Sequence, residues 1–151
     1  MKGATVQPSR QVSSSATLPL TALEFLQRPL AAQLATVNPN GSPHQTIMWF
    51  RYVEGGFLFT TTTDRIKFRN VQHDPRASLT IVDPASMWRW VIVNGIRSVD
   101  GRDPVAFYRG LAEHYLDPER FAEWQRRAVL ERRTVLRLTP QRVRTMGFPE
   151  A

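Results

Sequence analysis

The chain has no cysteine and, among its 20 basic residues, only two lysines, Lys2 and Lys67. Without cysteine there is no disulfide framework, no thiolate nucleophile and no thiolate metal ligand. Such a composition suits a reducing compartment, and a cytoplasmic location is expected. No run of about eighteen apolar residues occurs, so no membrane-spanning helix is expected. The histidines, His44, His73 and His114, stand far apart, without the spacing that metal ligands share. Neither G-x-G-x-x-G nor G-x-x-x-x-G-K-S/T is present, which removes the Rossmann and P-loop readings. No G-x-S-x-G elbow marks a hydrolase serine. Asp100 and Asp103 flank a Gly-Arg step and read as turn residues, not as a catalytic dyad. An enzyme without acid–base machinery must take its chemistry from a bound cofactor.

Positive charge is what the chain has in excess. Against 13 acids it carries a net +7, which favours anionic partners. The basic residues are spread along the chain, and the densest run, RRAVLERRTVLRL at 126–138, lies in a region with its own glutamates. No helix-turn-helix, ribonucleoprotein or zinc-finger signature accompanies it, so a nucleic-acid module is the weakest reading. At 151 residues a single domain is expected. Residues 1–18 are Ser-rich, without acids or an apolar stretch, and read as a flexible tail ahead of a domain spanning 19–151.

Leu20, Leu23 and Leu26 recur at helical spacing before Pro29, with Thr21 a candidate N-cap. A hairpin is expected over 31–53 around NPNGS, whose Asn-Gly step supplies positive φ angles. A turn at 54–56 leads into a strand at 57–63, and a short helix follows over 64–72, with Asp64 as N-cap and Ile66, Phe68 and Val71 facing inward. Strands are expected at 76–84 and 87–100, and helices over 103–129 that break at LDPE, with Asp117 capping the second. A closing strand at 133–138 and an edge at 142–148 end the pattern. About six antiparallel strands joined largely by hairpins, with inserted helices, give a mostly β, α+β class and a closed or nearly closed small barrel.

Two clusters invite chemistry. In TTTTDRIKFRN (60–70) a strand end full of hydroxyls meets a helix start carrying Arg65 and Lys67. Helix N-termini with donors and cations suit phosphates, with Arg as a bidentate fork and Lys as a point charge. The residues alone also fit an ordinary capped helix with a solvated basic face. The second cluster is aromatic: Trp49-Phe50 at the end of strand two, and MWRW, whose Trp88 and Trp90 share a strand face while Arg89 takes the other. Core packing and stacking on a flat ligand both account for such tryptophans.

The order LATVNPNGSPHQTIMWF, DRIKFRNVQHDPRASLTIVDP, WRWVIVNG resembles the pyridoxamine-phosphate-oxidase-like, FMN-binding split β-barrel family, and within it the F420-dependent reductase branch. The resemblance runs from about residue 20 to 146. It implies a homodimer with cofactor sites at the subunit interface, and a cofactor phosphate held by Arg65 and Lys67 with Thr61 and Thr62 as hydroxyl donors. It also implies that Ile47, Met48, Trp49 and Phe50 lie along the isoalloxazine-like ring, and that Trp88, Arg89 and Trp90 reach in from the partner. The implied activity is hydride transfer from reduced coenzyme F420 to a flat, electron-poor small-molecule acceptor. FMN is the alternative cofactor, and a non-catalytic haem, flavin or tetrapyrrole binder the alternative role.

Overall fold

In the computed structural model, residues 17–149 are described, so residues 1–16 of the expected tail lie outside them. Period-two burial builds the sheet. Ala32, Leu34 and Thr36 of β1 (Ala32–Val37) point inward, as do Ala77, Leu79 and Ile81 of β5 (Arg76–Asp83) and Val91 and Val93 of β6 (Ser86–Asp100). With β2 (Pro43–Met48), β3 (Arg51–Val53), β4 (Gly56–Thr62) and β7 (Arg133–Met146) they form one antiparallel sheet of seven strands in the order β2-β1-β5-β6-β7-β4-β3. One core cluster joins Leu34 and Leu79 to Phe57, Phe59, Leu138 and Val143, so the sheet curls over a shared interior, as a split barrel does.

The split falls between the two edge strands, β2 and β3, which are neighbours in sequence. The expected continuous second strand breaks at Trp49-Phe50, and this raises the strand count from about six to seven. The last strand runs without interruption through Pro140, which sits opposite Gly95 at a register shift in β6. A Cβ on Gly95 would run into the Thr139 carbonyl oxygen, so only glycine lets the two backbones approach at this bulge.

Helices close the ends. In α1 (Leu20–Phe25) Ala22 and Phe25 are buried, and Phe25 meets Phe148 with ring centroids 5.1 Å apart. Its N-cap is Pro19, not Thr21, and no side chain caps it. Leu18, within the expected tail, is 8% exposed and belongs to the core. The break at LDPE is present: α3 (Pro104–Tyr115) and α4 (Pro118–Arg127) start on Asp103 and Asp117, whose carboxylates accept from first-turn N–H groups. Asp100 accepts from the Arg102 N–H and guanidinium in the preceding turn. In α2 (Ile66–His73) the inward residues are Asn70 and Val71, whereas Ile66 is 46% exposed. The Asn70 amide sets this rotation by donating to Thr36 Oγ1 and Asn38 Oδ1, both at 2.9 Å.

Gly95→Ala is expected to destabilise the fold by about 1–3 kcal/mol, the usual cost of overpacking, read from urea unfolding. Wild-type stability in that variant would show that the β6–β7 bulge relaxes freely.

Candidate functional site

The strand-to-helix junction after β4 organises the site. Thr62 ends the strand, and α2 begins four residues later with Arg65 at its N-cap position and no side chain capping it. Asp64, the expected cap, is exposed instead. The Thr62 hydroxyl donates to its carboxylate and holds its pKa low. No side chain caps the first turn of α2, whose Phe68 N–H donates to the Arg65 carbonyl at 3.1 Å; an uncapped helix start is a place where an anion can bind.

Beside this junction lies a cleft of about 350 Å3 lined by Ile47, Met48, Trp49, Thr60, Thr61, Thr62, Arg65, Lys67, Tyr108 and Arg133. Seven of the residues singled out from the sequence meet here: Ile47, Met48, Trp49, Thr61, Thr62, Arg65 and Lys67. Thr60, Tyr108 and Arg133 join them unannounced. Arg133 sits directly across from Thr62 in the β4–β7 ladder, and its guanidinium lies 3.8 Å from the centroid of the Tyr108 ring. Phe50, expected along the ring site, is 1% exposed and faces the core.

Charge in the cleft is one-sided. Lys67 is half-buried, and among the described residues its ammonium meets neutral acceptors, Met48 Sδ at 3.0 Å and Thr46 Oγ1 at 3.5 Å. Burial pushes its pKa down, and Arg65, Arg97 and Arg133 push the same way. Arg133 is likewise lowered, chiefly by burial. Among the described residues none of these four cations forms a salt bridge. No carboxylate or imidazole lines the cleft.

The apolar wall is set by the barrel's split. Where the chain leaves β2, Trp49 stacks on Tyr115 with centroids 5.1 Å apart and planes at 17°. The Tyr115 hydroxyl accepts from the Phe50 N–H at 3.0 Å and donates to the Leu30 carbonyl at 2.7 Å. It therefore pins the β2–β3 junction, and with it the indole, to the end of α3.

Trp88, Arg89 and Trp90 do not line this cleft within one chain. Trp88 is 60% exposed. Arg89 turns to the other face: its guanidinium lies 3.6 Å from Asp83 Oδ2 and 4.8 Å from the Phe148 ring centroid. That arginine braces the strand against α1 and the C-terminal segment.

The arrangement sets cations and hydroxyls at the α2 start beside an apolar wall of Met48 and Trp49, and the protic side chains of its lining are the Lys67 ammonium, the Tyr108 phenol and the threonine hydroxyls. No group of three or more candidate metal ligands occurs among the described residues, and no helix there is long and apolar enough to cross a membrane.

Residues 18–147 match the sequence model of the pyridoxamine 5'-phosphate oxidase family. The pyridoxine/pyridoxamine 5'-phosphate oxidase of Pseudomonas paraeruginosa is 36% identical over 83 residues, 54% of this chain and 38% of that protein. The chain thus spans well under half the length of this curated relative. A solved F420 reductase superposes with a TM-score of 0.71 at 29% identity, covering 83% of this chain and 98% of that one. The haem storage protein HutZ of Vibrio cholerae superposes at 0.63 with 23% identity, over 87% and 97% of the two chains, a likeness of fold alone.

Tyr115 supplies a pH test of the pinned junction. Burial raises its pKa from 10.0 to about 12, so the folded state keeps the phenol neutral where the unfolded chain ionises it. Its stabilisation is complete below pH 10 and is lost as pH rises to about 12. Tyr115→Phe, which leaves the Phe50 N–H and Leu30 carbonyl without this partner, is expected to cost about 1–3 kcal/mol at neutral pH. In urea unfolding that deficit narrows with rising pH; a deficit constant across the range would place the hydroxyl outside the fold's alkaline limit.

Proposed function

Because the chain belongs to the pyridoxamine 5'-phosphate oxidase family, we propose that it is an oxidoreductase that holds coenzyme F420 in this cleft and reduces a flat, electron-poor small molecule. The observation that carries the reading is the positive charge of Arg65, Lys67 and Arg133, without a salt bridge among the described residues, at an uncapped helix start next to an apolar wall. A phosphate would complete that charge, and a planar ring system suits the indole and thioether beside it. The likeness to the F420 reductase, over nearly that whole chain, supports the deazaflavin over other occupants. FMN is the second reading. It shares the phosphate and the tricyclic ring, and the 36% identity to a pyridoxine/pyridoxamine 5'-phosphate oxidase favours it.

When bound, the deazaflavin supplies hydride chemistry. The chain's own residues do the rest. Lys67 and Arg65, with the first-turn N–H groups of α2, anchor the phosphate. Arg133, stacked on Tyr108, bounds the cleft on the β7 side. Met48 and Trp49 fix the ring plane and keep water from that face. With no carboxylate or imidazole in the lining, the site works by orientation, which alone gives large accelerations.

A homodimer belongs to the same proposal. Ile47 at 65%, Met87 at 73% and Trp88 at 60% exposure leave large apolar side chains uncovered on one chain. In a dimer, Trp88 and Trp90 of a second copy would close the cleft, with Arg89 holding their strand in place.

Titration of the protein with F420, FMN and their phosphate-free analogues, followed by tryptophan fluorescence, tests the function. Tight quenching by F420 and weak binding of its phosphate-free analogue are expected, with Lys67→Ala weakening F420 by about 1.5–3 kcal/mol. Binding of FMN alone would move the protein to the flavin reading, and binding of neither would leave a likeness of fold without the cofactor.

A further inference from the structure

Arg97 is hard to explain by packing. It is the largest of the fully buried side chains, 2% exposed, on β6 opposite Leu138 of β7. Its Nη2 donates to the Lys67 carbonyl at 2.9 Å, whereas its Nε and Nη1 have no partner. No carboxylate pairs with it among the described residues. An unpaired buried guanidinium opposes folding, and an apolar side chain of similar length would fill the same space without that cost. The charge therefore serves something other than stability.

Its one partner indicates what. The Lys67 carbonyl belongs to the first turn of α2, from which Arg65 and Lys67 line the cleft, while Arg97 itself does not line it. A positive charge behind that turn is poorly screened by the interior and adds to the field of Arg65, Lys67 and Arg133. Lys67 already registers it, since Arg97 is among the groups that lower its pKa.

We propose that Arg97 is a positioning residue for the anion: it fixes the first turn of α2 and places an uncompensated charge behind it, so that the cleft selects ligands carrying a phosphate without Arg97 touching them. This rests on the reading of the cleft as a cofactor phosphate site. A uniform structural role would lower affinity for every ligand alike. The proposed role affects only the preference for phosphate.

The test compares wild type, Arg97→Gln and Arg97→Lys by fluorescence titration with FMN against riboflavin, and F420 against its phosphate-free analogue, alongside thermal unfolding. The expected result is a phosphate preference in wild type that falls about tenfold in Arg97→Gln. Affinity for the phosphate-free ligand stays unchanged, and thermal stability is equal or higher. Arg97→Lys, which keeps the charge, retains most of the preference. Full preference in Arg97→Gln, parallel loss of both affinities, or failure of both variants to fold would each overturn the role of Arg97 while leaving the cleft reading intact. Absence of any preference in wild type would instead remove the cleft reading, and this inference with it.

Discussion

Arg65, Lys67, Arg97 and Arg133 gather around the start of α2 with no salt bridge to any of them among the described residues, and this excess of positive charge is the constraint on which the rest of the site depends. A protein normally neutralises half-buried cations or leaves them in water. Here burial and mutual repulsion both act against Lys67, and Asp64, the acid at the junction, is exposed, accepts from the Thr62 hydroxyl, and attracts Arg65 and Arg133 without a salt bridge to either among the described residues. Under the proposed reading, an anion bound in the cleft completes the charge of its lining.

The barrel is arranged to hold that charge beside an apolar wall. The split between β2 and β3 lets the chain turn out of the sheet at Trp49, and Tyr115 fixes the turn from α3 through stacking and backbone hydrogen bonds. Asn70 locks α2 to β1 from the other side, setting the rotation that turns Lys67 toward Met48 and Thr46. The two halves of the cleft thus come from opposite ends of the sheet order and meet only because the sheet curls.

Much of this was legible in the sequence because it is local. Strand ends, the Asn-Gly turn, the Asp-Pro break before α4, and the Thr-rich strand followed by Arg65 and Lys67 are all written in a few consecutive residues. The resemblance to the pyridoxamine-phosphate-oxidase-like family joined them into one site. What escaped was non-local. Arg133 joins the site through its pairing with Thr62 across β4 and β7, and nothing distinguishes it from the other arginines of its run. Tyr108 sits on an ordinary amphipathic helix. The strands expected at 133–138 and 142–148 are one strand, and the bulge at Gly95 accommodates Pro140 between them. Asp64 resembled a helix cap, but the neighbouring Thr62 hydroxyl claims it first. The alternation that separates Arg89 from Trp88 and Trp90 was legible, but not its consequence, that Arg89 is spent on Phe25 and Phe148 within its own chain.

The scarcity of lysine makes the central claim directly measurable. With Lys2 and Lys67 the only two, protein labelled with carbon-13 at the lysine side chain gives two resonances, and their titration can be followed by NMR with and without F420 or FMN. The account predicts that Lys67 in the free protein titrates below the ordinary lysine value of 10.5 and moves upward when a phosphate-bearing cofactor binds, as its uncompensated charge acquires a partner. A Lys67 that titrates at its ordinary value in the free protein, or that is indifferent to the cofactor, would contradict it.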